Sequence, residues 1–325
     1  VTAVAQGVAA GAPPVIFLLG PTAAGKTGLA VELVEALDAE IVSVDSAMVY
    51  RGMDIGTAKP DSATLARAPH ALIDIRDPAQ AYSAAEFRRD AIAEIERIHG
   101  AGRIPLLTGG TSLYFRALEH GLSDLPPRDD VIRAGLSAEA QALGWHALHT
   151  RLAAVDPASG ARIHPNDAQR IQRALEIHML TGQTPSALHA KKHAEENESR
   201  LPWSICKLVV SPASRQALHE RIALRFQIMM KAGFYLEVEK LYARPDLTVD
   251  MPSVRAVGYR QLWQVLAGDW SLEQGVDKSV FASRQLAKRQ LTWLRSLDDA
   301  RWFDSDDAGL FEKAREHVEK QLQRS

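Results

Sequence analysis

The stretch Val15-Ile16-Phe17-Leu18-Leu19-Gly20-Pro21-Thr22-Ala23-Ala24-Gly25-Lys26-Thr27 decides the fold. Its first five residues read as a buried strand, a loop bounded by two glycines follows, and a helix starts at the lysine. The loop fits G-x-x-x-x-G-K-[ST], the pattern of a phosphate-cradling P-loop. Gly20 and Gly25 let the backbone curl so that several N–H groups face one anion. Lys26 adds a point charge, and Thr27 a hydroxyl able to ligate Mg²⁺. The helix Lys26–Leu37 carries Leu29, Leu33 and Leu37 along one side. It aims the positive end of its dipole at the same spot. The motif specifies a polyphosphate without saying which one.

Bulk properties narrow the class. A chain of 325 residues can bury a full core and is expected to hold two domains. Hydrophobic residues make up 46% and charged residues 24%, the balance of a soluble globular protein. The net charge is −2, so any contact with nucleic acid must come from local basic patches. Cys206 is the only cysteine, which excludes an internal disulfide and a multi-cysteine zinc site and fits a reducing cytoplasm. No apolar run approaches the ~20 residues needed to cross a bilayer, so no membrane partner is expected. Residues 1–13, rich in Ala, Gly and Val, read as a disordered leader.

After the first helix, Glu40-Ile41-Val42-Ser43-Val44-Asp45 reads as a second, parallel strand ending in an acid. Ligands of open α/β sheets bind at the carboxyl ends of the strands, which sets Asp45 beside the P-loop. It reads as a catalytic base, or else as a helix cap or a ligand to Mg²⁺-bound water. The turn-rich segment Ser46 to Pro60 has no clear period, as expected where sites are built. Residues Ala71 to Ile75 read as a short strand, and Ser83 caps a helix bearing Phe87, Ala91, Ile95 and Ile98. Ile104-Pro105-Leu106-Leu107 is a further buried strand leading into Thr108-Gly109-Gly110-Thr111 and a helix from Ser112 to His120. A kinase would place an acid at that strand end. Here Thr111 offers a hydroxyl at the mouth of the site, or a plain helix cap.

From Gly121 the texture changes, and residues 121–200 read as an inserted helical domain. Its helix after Asn166-Asp167 turns Ile171, Ala174 and Leu175 to one side. Gln169, Arg173 and Glu176 lie on another, either a solvated face or an RNA contact. His189 to Arg200 reads as a mobile loop. Leu208-Val209-Val210 returns to the core sheet. The next helix carries Arg221 and Arg225 four residues apart, a diphosphate clamp or ordinary surface charge. A helix follows over Phe234 to Tyr242. Another starts at Arg255-Ala256-Val257-Gly258-Tyr259-Arg260-Gln261. The last long helix runs to about Leu297, with Arg284, Lys288 and Arg295 on one face. That stripe suits a phosphate backbone or a docked surface helix equally.

Five motifs together resemble one family. They are Gly20 to Thr27, Val44 to Pro60, Pro69 to Asp74, Gly109 to Tyr114 and Arg255 to Gln261. The family is that of the tRNA dimethylallyltransferases, or tRNA isopentenyltransferases, in its bacterial form. The resemblance runs from Pro14 to Leu297, and the Asp45 to Pro60 stretch is its most diagnostic part. It implies an α/β fold, a P-loop NTPase-like parallel-sheet core with an inserted, mainly helical domain. It implies transfer of a dimethylallyl group from dimethylallyl diphosphate, held by the P-loop with Mg²⁺, to the exocyclic amine of the adenosine 3′-adjacent to the anticodon. Asp45 and Thr111 take the catalytic positions, and one of Arg221 and Arg225 the diphosphate-binding one. Contacts to the tRNA anticodon arm fall to Asp45, Ser46, Ala47, Met48, Thr111, Arg133, Gln169, Arg170, Ile171, Gln172, Arg173, Arg255, Gly258, Tyr259, Arg260, Arg284, Lys288 and Arg289. A cytoplasmic monomer is expected. The alternative is a P-loop nucleoside or small-molecule kinase.

Overall fold

The computed structural model describes residues 11–122, 125–188, 190 and 201–323. Six strands form one sheet: β1 (Pro14–Leu19), β2 (Ala39–Val44), β3 (His70–Ala71), β4 (Ile104–Gly109), β5 (Ser204–Ser211) and β6 (Arg301–Asp304). Their order is β3-β2-β4-β1-β5-β6, and every neighbouring pair is parallel. A parallel sheet needs cover on both faces, so its central strands are continuously apolar rather than alternating. In β1 every residue after Pro14 is buried.

Around the sheet lie α1 (Lys26–Leu37), α2 (Ser62–Arg67), α3 (Ala84–Gly100) and α4 (Ser112–His120). The helical segments α5 (Asp130–Leu143), α6 (Trp145–Val155), α7 (Pro157–Arg162) and α8 (Ala168–Thr181) follow. After β5 come α9 (Arg215–Lys231), α10 (Phe234–Tyr242), α11 (Tyr259–Leu266), α12 (Leu272–Leu294) and α13 (Leu310–Leu322). One core cluster joins Ile16, Leu18, Leu106 and Leu208 of the sheet to Leu29 and Leu33 of α1 and to Ala314 and Val318 of α13. Phe17 instead packs on Phe115 of α4 at 5.1 Å between ring centroids, and Phe115 on Trp293 of α12 at 6.1 Å. The register pairs Gly109 with both Leu19 and Val44. Three strands therefore end at one level, and the loops after β1, β2 and β4 leave the sheet side by side.

The described residues of Val1–Glu119 and Pro202–Ser325 form one compact unit, and those of His120–Leu201 another. In the second, Leu136, Leu148, Leu152, Ile163, Ile171 and Leu175 pack into a core of their own. Glu176 of α8 is fully buried there. It accepts bonds from Arg133 (2.9 and 3.0 Å), Arg173 (2.7 Å) and the Asp129 N–H (2.8 Å). Burial opposes its charge, but these donors outweigh it and hold the carboxyl down at about 2. Among the described residues no helix is long and apolar enough to cross a membrane.

The strand expected over Ala71 to Ile75 reduces to His70–Ala71. Leu72 (φ 62°) and Asp74 (φ 54°) adopt left-handed backbone, which ends the pairing. The Asp74 carboxylate accepts from Lys59 Nζ at 2.6 Å instead. Strand β6 and helices α2 and α13 were not foreseen. At the start of the chain, Pro13 already accepts a sheet-like bond from the Ser204 N–H at 2.9 Å. Residues 1–10 of the expected leader lie outside the described residues, as does the expected loop over 189–200 apart from Ala190.

Candidate active site

The glycine-bounded loop leaves β1 and enters α1 through two left-handed residues, Ala23 (φ 63°) and Gly25 (φ 87°). Gly25 occupies the N-cap position of α1 and gives no side-chain cap. The unpaired N–H groups of the first turn are thus available to an anion, which their dipole also favours. Lys26 Nζ donates to the carbonyls of Gly20 and Pro21, both at 2.9 Å. Its ammonium is pushed down to about 8, first by burial and then by the guanidinium of Arg225, while Asp45 works in the opposite direction. A cation held at such a cost is poised for a negative ligand. Thr27 is exposed on the same turn.

At the end of β2, Asp45 Oδ1 accepts from the N–H groups of Ala47 (2.8 Å) and Met48 (3.2 Å). This turn fixes the carboxylate and leaves its second oxygen without a hydrogen bond among the described residues. Thr111 closes the turn after β4: its hydroxyl accepts from the Ser46 N–H at 3.1 Å, and its own N–H donates to the Val44 carbonyl at 3.3 Å. Asp45 also favours the charged form of Arg225, as it does that of Lys26. One carboxylate, one ammonium and one guanidinium therefore share a field at the carboxyl edge of the sheet.

The two arginines of α9 part company. Arg221 pairs with Asp306 and Ser305. Arg225 is half-buried, its charge opposed by burial and supported by Asp45, and donates to the Thr57 carbonyl at 3.3 Å. Arg225 is the member of the pair whose charge is felt at Lys26.

The segment after Asp45 is held by a residue that sequence reasoning missed. Glu237 of α10 accepts from the N–H groups of Asp54 (2.9 Å), Ile55 (2.8 Å) and Gly56 (3.1 Å), and from the Tyr259 hydroxyl (2.5 Å). A Cβ at Gly56 would sit 2.0 Å from the Phe234 ring and 2.6 Å from the Tyr259 ring, so only glycine permits this approach. Lys59 staples the same loop through the Tyr50 carbonyl (3.0 Å) and the carboxylates of Asp54 and Asp74. In the sequence Glu237 sits among Glu239 and Lys240 like any solvated charge, and only the docked loop gives it a role. Gln290 was missed for a like reason: it lies beside Lys288 and Arg289, and the stripe reads as basic. Its side chain is buried and accepts from the Thr22 N–H at 2.9 Å.

The expected RNA-contacting residues divide. Gln169, Arg170, Arg255, Arg260, Lys288 and Arg289 are exposed; Arg170 pairs with Asp167 and Arg255 with Asp250. Ile171 is fully buried in the helical core, and Tyr259 is buried against Glu237 and Phe234, so neither side chain is free to touch a partner. Arg133 and Arg173 are committed to Glu176, which makes Glu176 a buried hub rather than part of a solvated face. Gln172 donates to the Arg133 carbonyl (3.1 Å) and to Ser137 (2.9 Å). Gly258 is buried, and Arg284 is half-buried with its Nε unpartnered.

Among the described residues no cluster of three or more His, Cys, Asp or Glu could hold a metal by itself. The donors present still suit a hard cation of the Mg²⁺ kind, which takes one or two protein oxygens and completes its shell with water and substrate phosphate. The exposed Thr27 hydroxyl is such a donor.

Comparison with known proteins bears on this geometry. Residues 48–297 match the family model described as IPP transferase. A tRNA dimethylallyltransferase of Thioalkalivibrio sulfidiphilus is 57% identical over 310 residues, covering 94% of this chain and 96% of that protein. The full-length tRNA isopentenylpyrophosphate transferase of Bacillus halodurans superposes with a TM-score of 0.70 at 37% identity, over 95% of this chain and 97% of its own. A eukaryotic dimethylallyltransferase acting on tRNA shares the fold, with a TM-score of 0.77 at 24% identity over 95% of this chain and 77% of its own. The core is thus P-loop NTPase-like, and the kinase alternative is not favoured by these prenyl-transferring relatives. With its family model spanning most of the chain and its sheet edge arranged around a phosphate loop and one carboxylate, the protein belongs to the tRNA dimethylallyltransferase family.

Proposed function

We propose that this enzyme transfers the dimethylallyl group of dimethylallyl diphosphate to the exocyclic amine of the adenosine 3′-adjacent to the anticodon, releasing diphosphate. The observation that supports the proposal is that the Lys26 loop and Asp45 follow β1 and β2, whose last residues Leu19 and Val44 both pair with Gly109 of β4, with the charge of Arg225 felt at Lys26. The amine is a weak nucleophile because its lone pair is delocalised into the ring. The allylic carbon is a good electrophile because positive charge on it is spread over two carbons. Departure of a highly charged leaving group is what limits the reaction.

The first-turn N–H groups of α1, Lys26 and Arg225 neutralise the diphosphate as its C–O bond breaks. A divalent cation of the Mg²⁺ kind, held by Thr27 and the diphosphate, supplies further charge neutralisation when bound. As the new C–N bond forms, the free oxygen of Asp45 takes the proton that the amine loses, a role typically worth ~10²–10⁴-fold. Thr111 and Ser46 hold the carboxylate's turn in place. To reach the pocket the adenine leaves its stack, at a cost of a few kcal/mol. The exposed Gln169, Arg170, Arg255, Arg260, Lys288 and Arg289 supply phosphate and shape contacts to the anticodon arm. The enzyme acts as a cytoplasmic monomer.

The test mixes unmodified tRNA with labelled dimethylallyl diphosphate and, separately, with labelled ATP. Label is expected to reach tRNA from the prenyl donor alone. Asp45→Ala is expected to lose turnover by at least ~10²-fold while still binding tRNA. Phosphate transfer from ATP, or an active Asp45→Ala protein, overturns the proposal.

A further inference from the structure

We propose that Gln290 is a positioning residue, which sets the spacing between the diphosphate cradle and the turn that holds the Asp45 carboxylate. Its amide spans the gap between two loops far apart in sequence. Oε1 accepts from the Thr22 N–H at 2.9 Å, and Nε2 donates to the Gly110 carbonyl at 2.9 Å. One partner only donates and the other only accepts, so the amide's orientation is fixed by its neighbours. Gln290 is 8% exposed, and both bonds are partly buried. Gly110 approaches so closely that a Cβ there would lie 2.3 Å from Nε2. Beyond Gly110 the chain of contacts continues: the Thr111 hydroxyl accepts from Ser46, which adjoins Asp45. One hydrogen-bonded path thus links the leaving-group end of the site to its base.

Glutamine suits this task better than a charged residue. A carboxylate could not donate to Gly110, and an ammonium could not accept from Thr22. The inference concerns geometry, so it predicts an effect on the chemical step rather than on affinity. A misplacement of about 1 Å between reacting groups costs roughly 10²-fold.

The inference rests on the prenyl-transfer proposal, and wild-type enzyme run in the same assay separates the two. If wild type transfers no prenyl group, that proposal fails. If wild type is active and the variants match it, the inference alone fails. Gln290→Met keeps the length and removes both bonds. It is expected to lower the single-turnover rate by roughly 10–100-fold, with dimethylallyl diphosphate and tRNA affinities within about threefold of wild type. Gln290→Asn keeps the amide but is one methylene too short. It is expected to behave alike, and it replaces the Met variant should that fail to fold.

A raised Kd for tRNA with an unchanged rate would make Gln290 an RNA contact and overturn the inference. A double-mutant cycle adds a second check. Gly110→Ala is expected to slow the reaction by displacing the amide, and adding Gln290→Ala to it is expected to cost nothing more. Additive losses in that cycle would also refute the role.

Discussion

The sharpest energetic prediction concerns Glu237→Gln. The native carboxylate accepts four bonds, two at each oxygen: Asp54 and Ile55 at Oε2, Gly56 and Tyr259 at Oε1. An amide offers one accepting oxygen and one donating nitrogen, so one of the two sites must face an NH₂ group. The cheaper choice keeps the oxygen towards the Asp54 and Ile55 N–H groups and turns the nitrogen to the Tyr259 hydroxyl, which can rotate to accept. The half-buried Gly56 N–H then loses its acceptor, and water replaces that bond poorly. One donor left unsatisfied costs about 1–3 kcal/mol, and weakening the remaining bonds from charged to neutral adds about 1 more, a total of about 2–4 kcal/mol. The loss falls on a loop, so it is expected as local opening. Amide exchange at Ile55 and Gly56 should quicken by roughly 10²-fold, since 1.4 kcal/mol is a factor of ten. Because the Thr57 carbonyl holds Arg225, affinity for dimethylallyl diphosphate should fall with it. Unchanged protection at both amides, with diphosphate affinity intact, would refute the assignment of Glu237 as the loop's anchor.

Arg225→Ala should weaken dimethylallyl diphosphate binding by at least ~10-fold, whereas Arg221→Ala should leave it within about threefold, as measured by calorimetry. The Lys26 ammonium titrates at about 8 in the folded enzyme against 10.5 ordinarily. Between those values the unfolded chain binds the extra proton, so Lys26's contribution to stability rises with pH there. Diphosphate binding runs the other way. Above about pH 8 the site must take up a proton to bind, so affinity should fall by up to about tenfold per pH unit, and Lys26→Met should flatten that dependence. Glu176→Gln should destabilise the helical unit by about 2–4 kcal/mol in thermal melts, since Arg133 and Arg173 lose a buried anion. The wild-type carboxyl is held down at about 2 from 4.5, so its contribution is present above about pH 4.5 and is lost as pH falls towards 2.

Much of this molecule was legible along the chain. Continuous apolar runs at Val15–Leu19 and Leu106–Leu107 read as buried strands because a parallel sheet hides both faces. The helices Ser112–His120 and Phe234–Tyr242 fall where the sequence signals set them. The glycine spacing before Lys26 and the acid closing the second strand are local features, so the turn into α1 and the place of Asp45 after β2 could be read without coordinates. Local chemistry dictates local shape, and that much the order of residues determined.

What only the tertiary structure decided depends on contacts across the fold. Arg221 and Arg225 are indistinguishable by spacing, yet one pairs with Asp306 and the other donates to the Thr57 carbonyl. Glu176 and Glu237 look like solvated acids until long-range packing surrounds each with donors. Ile171 and Tyr259 sit within motifs expected to touch RNA, but packing buries them. Gln290 meets Thr22 across 268 residues of chain. A side chain's partner at that separation is set by how the helices dock on the sheet, and no short window of sequence carries that information.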